Sequence, residues 1–139
     1  CEVYVMRQIQ DYIGLPLQEG GRKYPNFDCW GLVVDAGYEL FGLELPLFID
    51  DVLANNRRSH ARNIEMCLVS GIFQETVNYV EGDIICWWYG KLPVHCGIVV
   101  NYEGSLQMLH AYHSGVSVSC IEDRDTNIQR RFYRVSTKK

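Results

Sequence analysis

The chain has 139 residues, 47% of them apolar and 22% charged, which suits one domain whose core needs no disulfide staples. A net charge of −4 with scattered basic residues excludes the basic stripe of a nucleic-acid binder. No apolar run approaches the roughly 18 residues that span a bilayer, so no membrane span is expected.

The opening CEVYVMRQIQ has no basic stretch leading into an apolar one, and it does not read as a signal peptide. Within residues 1–13, Ile9 and Ile13 fall at helical spacing and predict a short amphipathic helix. The Gly- and Pro-rich run GLPLQEGGRKYPNFD that follows predicts a loop.

At Asp28 the pattern changes. CWGLVVDAGYELFG has an N-cap aspartate before it, Gly42 at the C′ position and Pro46 beyond, so a helix over Cys29–Phe41 is predicted. Leu32, Val33, Ala36, Leu40 and Phe41 share its buried side. Residues 47–72 predict one or two short helices around a charged centre, NNRRSHARN, with His60 as a surface residue. From Gly82 onward, GDIICWWYG, HCGIVVNYEG, SLQMLHAY, VSVSCI and RRFYRV are short β-branched and aromatic runs separated by turn residues, which predicts an antiparallel meander. Helices first and strands second give an α+β fold in one domain, 1–139.

Six cysteines occur, at 1, 29, 67, 86, 96 and 120, and none forms a CxxC pair. Cys67, Cys86, Cys96 and Cys120 lie in apolar runs and read as buried thiols acting as small hydrophobes. Cys29 differs, because it opens a predicted helix beside a polar loop. A nucleophilic cysteine needs its thiolate stabilised, a base within reach and access to solvent. Unpaired N–H groups at a helix start favour the thiolate and could later hold an oxyanion. Gly31 keeps that helix start slim enough for a substrate backbone to approach.

The base would be one of four histidines. HCGIVVNYEGSLQMLHAY reads as a hairpin, and a turn centred between Tyr102 and Glu103 makes His95 and His110 direct cross-strand partners on one face. One could act as base while the other orients it. Gly97, on the same face, would leave room for substrate above the sheet. His113 reads as a turn residue. A metal site of His95, His110 and Asp83 is the competing use, but the spacing matches no recognised zinc motif. No metal and no cofactor is expected.

Three blocks together resemble the NlpC family of cell-wall cysteine peptidases. They are GLPLQEGGRKYPNFDCWGLV, then EGDIICWW with HCGIVVN, then MLHAYHSGVSV, and in this order they cover residues 12–120. The resemblance implies a papain-like core in which the nucleophile helix packs on an antiparallel sheet. It implies Cys29 as nucleophile, His95 as general base and His110 as the residue orienting it. It also implies a thiol hydrolase acting on the peptide stem of peptidoglycan, often at the bond from γ-D-glutamate to the diamino acid. The family often carries a tyrosine near its Gly-Gly for the oxyanion. Leu17 stands at that position here, with Tyr12 or Tyr24 as substitutes, and Asp28, Trp30 and Gly31 complete the oxyanion and substrate-side candidates. The run Tyr12-Ile13-Gly14-Leu15-Pro16 with Gly20-Gly21-Arg22 and Phe27-Asp28-Cys29-Trp30-Gly31 is similar to the version found in tail proteins of long-tailed phages. That implies a virion protein, made in the host cytoplasm and acting on the periplasmic wall, with other tail proteins as partners. The alternatives are a structural tail component with weak or no activity, and a secreted antibacterial amidase toxin.

Overall fold

A computed structural model of the chain describes residues 6–47, 68, 71–122 and 127–136. The expected helices of 47–72, with His60 and Cys67, fall almost wholly outside these residues, as does Cys1.

The first helix, α1, is a single turn, Ile9–Tyr12. Its buried residue is Tyr12, while Ile13 is 37% exposed, so the Ile9/Ile13 spacing did not mark the core face. The predicted loop contains a small antiparallel ribbon of β1 (Arg22–Lys23) and β2 (Asn26–Phe27).

Helix α2 spans Cys29–Phe41 as its terminal residues predict. The Asp28 side chain accepts from Gly31 N–H at 2.7 Å, satisfying one of the orphan donors of the first turn. At the other end Gly42 takes φ 72°. Gly42 N–H then bonds the Tyr38 carbonyl, the bond of an αL cap, and Leu43 N–H bonds the Gly37 carbonyl. An Arg7–Asp35 ion pair at 2.9 Å and the Tyr12 hydroxyl, donating to Asp35 at 2.6 Å, clamp the N-terminal segment to α2.

The large sheet contains β3 (Phe73–Thr76), β4 (Ile84–Tyr89), β5 (Leu92–Tyr102), β6 (Ser105–Tyr112), β7 (Gly115–Ser119) and β8 (Gln129–Val135). All pairings are antiparallel, in the order β3-β8-β4-β5-β6-β7. The meander therefore holds for β4 to β7 only. The last strand returns across the sheet to lie between β3 and β4 instead of extending the edge beyond β7. Asp83 helps hold it there: its buried carboxylate takes Arg134 of β8 through Nε at 3.0 Å and Nη2 at 2.8 Å, and accepts Val80 N–H at 2.8 Å.

One face of the sheet carries α2. Trp30 and Val33 pack with Ile84, Cys86, Trp88 and Cys96, and Leu32 and Ala36 pack with Ile98, Val100 and Leu109. A second cluster, Ile85, Val99, Met108 and Ile121, occupies the opposite face. The strands between α2 and that cluster are covered on both sides, which is why they read as near-continuous apolar runs.

The β5–β6 register differs from the sequence expectation. Tyr102 pairs with Ser105, and Glu103-Gly104 form the two-residue turn with φ 53° and 88°. A two-residue hairpin turn with both φ positive matches strand twist, and a glycine takes one of the two positions without a Cβ penalty. The turn centre therefore lies one residue later than expected, and every cross-strand partner moves by two. His95 and His110 are not direct partners, yet an even shift leaves them on the same face.

Candidate active site

Cys29 is the first residue of α2 and is half-buried. Before it, Asp28 is 9% exposed and is held by Arg22, whose Nε lies 3.1 Å from both carboxylate oxygens. The Arg22 guanidinium also donates to the Leu47 carbonyl. Burial pushes the Asp28 carboxyl pKa up, and the neighbouring Cys29 charge adds to this, against the Arg22 and Gly31 bonds that favour the ion. The pair ties the glycine loop to the start of α2.

Gly31 does not leave room for substrate. A Cβ there would collide with the Gly21 backbone carbonyl, so the missing side chain is what lets the glycine loop lie on α2. The Trp30 side chain is fully buried in the core, and its Nε1–H donates to the Pro46 carbonyl at 2.7 Å. Only the backbone of Trp30 remains for a substrate-side role.

The two histidines come together. His95 Nε2 and His110 Nδ1 lie 2.8 Å apart, with the residues 8% and 4% exposed. The β5–β6 ladder begins at Ile98↔Leu109, beyond both of them. They therefore meet at the end of that strand pair, on the face that also carries Gly97. Gly97 likewise gives no substrate room. A Cβ there would lie 2.7 Å from Met108 Cε, 2.8 Å from the Leu109 carbonyl oxygen and 2.9 Å from His110 Cβ. Its bareness lets His110 approach β5.

Ser119, which the sequence reading did not single out, extends this chain: its Oγ lies 2.8 Å from His110 Nε2. Both ring nitrogens of His110 are thus engaged, and in the His95–His110–Ser119 chain the nitrogen left over is His95 Nδ1. A signal for Ser119 did exist. His113 and Ser114 form the β6–β7 turn, which pairs Tyr112 with Gly115 and His110 with Ser117, and Ser119 follows on the same face. Burial and the adjacent His95 charge push the His110 pKa down to about 4, with the Cys29 charge working the other way. His110 is therefore neutral at pH 7. Trp87, the cross-strand partner of His95, packs its ring 4.7 Å from the His95 ring, and Tyr112 lies 4.9 Å away on centroids. A groove of about 540 Å³ opens beside His110, with Trp87, Tyr112, Ser117, Ser119 and Glu122 on its walls.

Cys29 meets β5 at the residue next to His95, its sulfur 3.7 Å from Cys96 Sγ. Cys86 and Cys96 are buried as expected, but Cys120 is exposed, because it lies just past the end of β7. The tyrosine candidates for an oxyanion contact are directed elsewhere. The Tyr12 hydroxyl proton goes to Asp35, and the Tyr24 hydroxyl lies 3.5 Å from the Asp11 carbonyl. Leu17 is 40% exposed and bridges Phe27. Asp83 is occupied by Arg134 and does not join the histidines. Among the described residues no group of three or more His, Cys, Asp or Glu is arranged to hold a metal ion, and no helix is long and apolar enough to cross a membrane.

The sequence matches the model of the NlpC/P60 family over residues 14–137. Among curated proteins, it is 32% identical over 120 residues to the murein DD-endopeptidase MepS/murein LD-carboxypeptidase of Escherichia coli K12, covering 86% of this chain and 54% of that protein. The protein of the same name from Escherichia coli O157:H7 matches equally. The chain thus spans about half the length of the curated relatives it matches. Among solved structures, an N-acetylmuramoyl-L-alanine amidase from Bacteroides uniformis aligns with a TM-score of 0.48 and 14% identity, over 93% of this chain and 96% of that one.

Proposed function

This chain belongs to the NlpC/P60 family, and from that membership we propose that it is a cysteine peptidase that cleaves amide bonds in the peptide stems of bacterial peptidoglycan. The observation that carries the proposal is the chain of ring contacts His95–His110–Ser119, 2.8 Å at each step. The mechanism uses one of the two proton orders this chain allows: His110 Nε2–H donates to Ser119, His110 Nδ1 accepts Nε2–H of His95, and the lone pair of His95 is on Nδ1.

In this mechanism His95 Nδ1 takes the proton of Cys29. The thiolate attacks the scissile carbonyl, and a C–S bond forms while the carbonyl oxygen becomes an oxyanion facing the N–H groups at the start of α2. His95 then gives its proton to the departing amine as the C–N bond breaks. Water, activated by the same nitrogen, hydrolyses the thioester and frees Cys29. His110 moves no proton to substrate and holds the His95 ring in its tautomer.

The substrate class is favoured by the curated relatives, whose name describes action on murein. For the location we propose a phage tail, where the enzyme would open the wall locally beside other tail proteins. The support is the sequence run from Tyr12 to Gly31. A purely structural tail role is less favoured, since it would have no use for two buried histidines tied to each other. Purified sacculi incubated with the protein, followed by mass spectrometry of the released fragments, test the activity and identify the bond. Cleavage by the protein and none by Cys29→Ala is expected. Intact sacculi with both, under conditions where the protein is folded, would support the structural role.

A further inference from the structure

We infer that Cys29 and Cys96 form an oxidation site, in which a hydroperoxide converts Cys29 to a sulfenic acid and Cys96 closes it to a disulfide. The two sulfurs are already 3.7 Å apart, with the Cys96 thiol donating to the Cys29 sulfur, and a disulfide needs them at about 2.05 Å. Their surroundings differ in the way such a pair requires. Cys29 is half-buried as the first residue of α2. Cys96 is 1% exposed in the core beside Trp30, Val33 and Cys86. Its bond to Cys29, together with burial, holds its pKa well above the ordinary value, so it rests as a protonated thiol that oxidant reaches poorly. The order of events follows, and Cys29 reacts first.

In the first step the Cys29 thiolate attacks one peroxide oxygen. An S–O bond forms, the O–O bond breaks, and the other oxygen leaves as hydroxide or alkoxide and is protonated. In the second step the Cys96 sulfur attacks the Cys29 sulfur. An S–S bond forms, the S–O bond breaks, and the departing hydroxide takes the Cys96 proton and leaves as water. Two thiols are oxidised by two electrons in total, and one hydroperoxide is reduced. The consequence is protection, because a disulfide returns to thiols with a reductant, while the next oxidation of a sulfenic acid does not reverse. The inference needs a reactive thiol at Cys29 but no hydrolysis, so it is read by mass, independently of the proposed peptidase activity.

The experiment treats the reduced protein with a small excess of hydrogen peroxide, blocks free thiols with iodoacetamide and maps peptides without reduction. A control on untreated protein first establishes that Cys29 alkylates. The expected product joins the Cys29 and Cys96 peptides, two hydrogens lighter than the pair of thiols, and dithiothreitol restores alkylation of Cys29. In Cys96→Ala, or Cys96→Ser if the smaller residue impairs folding, the same peroxide should carry Cys29 to acids that dithiothreitol does not rescue. Sulfinic or sulfonic Cys29 beside free Cys96 in the unaltered protein would overturn the inference. So would a Cys86–Cys96 cross-link, since those two residues are direct partners across β4 and β5.

Discussion

His110 occupies space that a side chain at Gly97 would invade: a Cβ on Gly97 would lie 2.9 Å from His110 Cβ. The His95–His110 contact of 2.8 Å depends on this close approach. Gly97→Ala should therefore cost about 1–3 kcal/mol through overpacking against Met108, the Leu109 carbonyl and His110. It should also lower activity per folded molecule, because His110 is pushed away from His95. Thermal melts and sacculus cleavage on the same preparation check both. Full activity per folded molecule would mean that the approach of β6 is packing alone.

The two histidines should respond differently to substitution. His95→Ala removes the base and should cost turnover about as heavily as Cys29→Ala, on the order of 10²–10⁴-fold. His110→Ala should cost less, and His110→Asn should recover part of the loss, since an amide oxygen can still accept Nε2–H of His95. Turnover on a soluble stem peptide measures the series. A larger loss for His110→Ala than for His95→Ala would reverse the assigned roles.

Ser119 holds the far side of the His110 ring. Ser119→Ala should lower turnover about fivefold, the equivalent of one ordinary hydrogen bond of ~1 kcal/mol, and Ser119→Thr should restore it. Nitrogen NMR of the labelled protein gives a second readout. His110 should be the Nε2–H tautomer in the unaltered protein and a mixture in Ser119→Ala. An unchanged tautomer and unchanged turnover would leave Ser119 a bystander.

Acid should destabilise the fold through His110. Its pKa falls from the ordinary histidine value of 6.5 in the unfolded chain to about 4 in the folded one, mainly through burial. Below 6.5 the unfolded chain takes up a proton that the folded chain resists, so stability is present above 6.5 and is lost as pH falls toward 4. The loss attributable to this group is at most ~3 kcal/mol. Denaturant melts at pH 7, 5.5 and 4 should show a smaller acid loss in His110→Asn than in the unaltered protein. Equal losses would place the acid sensitivity elsewhere.

How much of this could be read from the residues differs by element. The ends of α2 were legible because Asp28 and Gly42 act locally, through caps that a short stretch of chain specifies. The shared face of His95 and His110 was legible because strand faces alternate, and it survived a misplaced turn because the error was even. The return of β8 to β4 was not legible, since nothing local in RRFYRV names its partner, and the Asp83–Arg134 pair links residues 51 apart in sequence. The roles of Gly31 and Gly97 were misread for the same reason. A glycine shows that space is wanted but not what fills it, and here Gly21 and His110 fill it.

The reactivity of Cys29 separates activation by His95 from simple access, because exposure and activation point to different cysteines. Cys120 is exposed and Cys29 is half-buried, so access alone would favour Cys120. Brief treatment with iodoacetamide at neutral pH, read by peptide mass spectrometry, ranks the cysteines in the reduced protein and in His95→Ala. Cys29 should be modified first in the unaltered protein and should lose that lead when His95 is removed. Modification of Cys120 ahead of Cys29, or a Cys29 rate indifferent to His95→Ala, would contradict activation by His95.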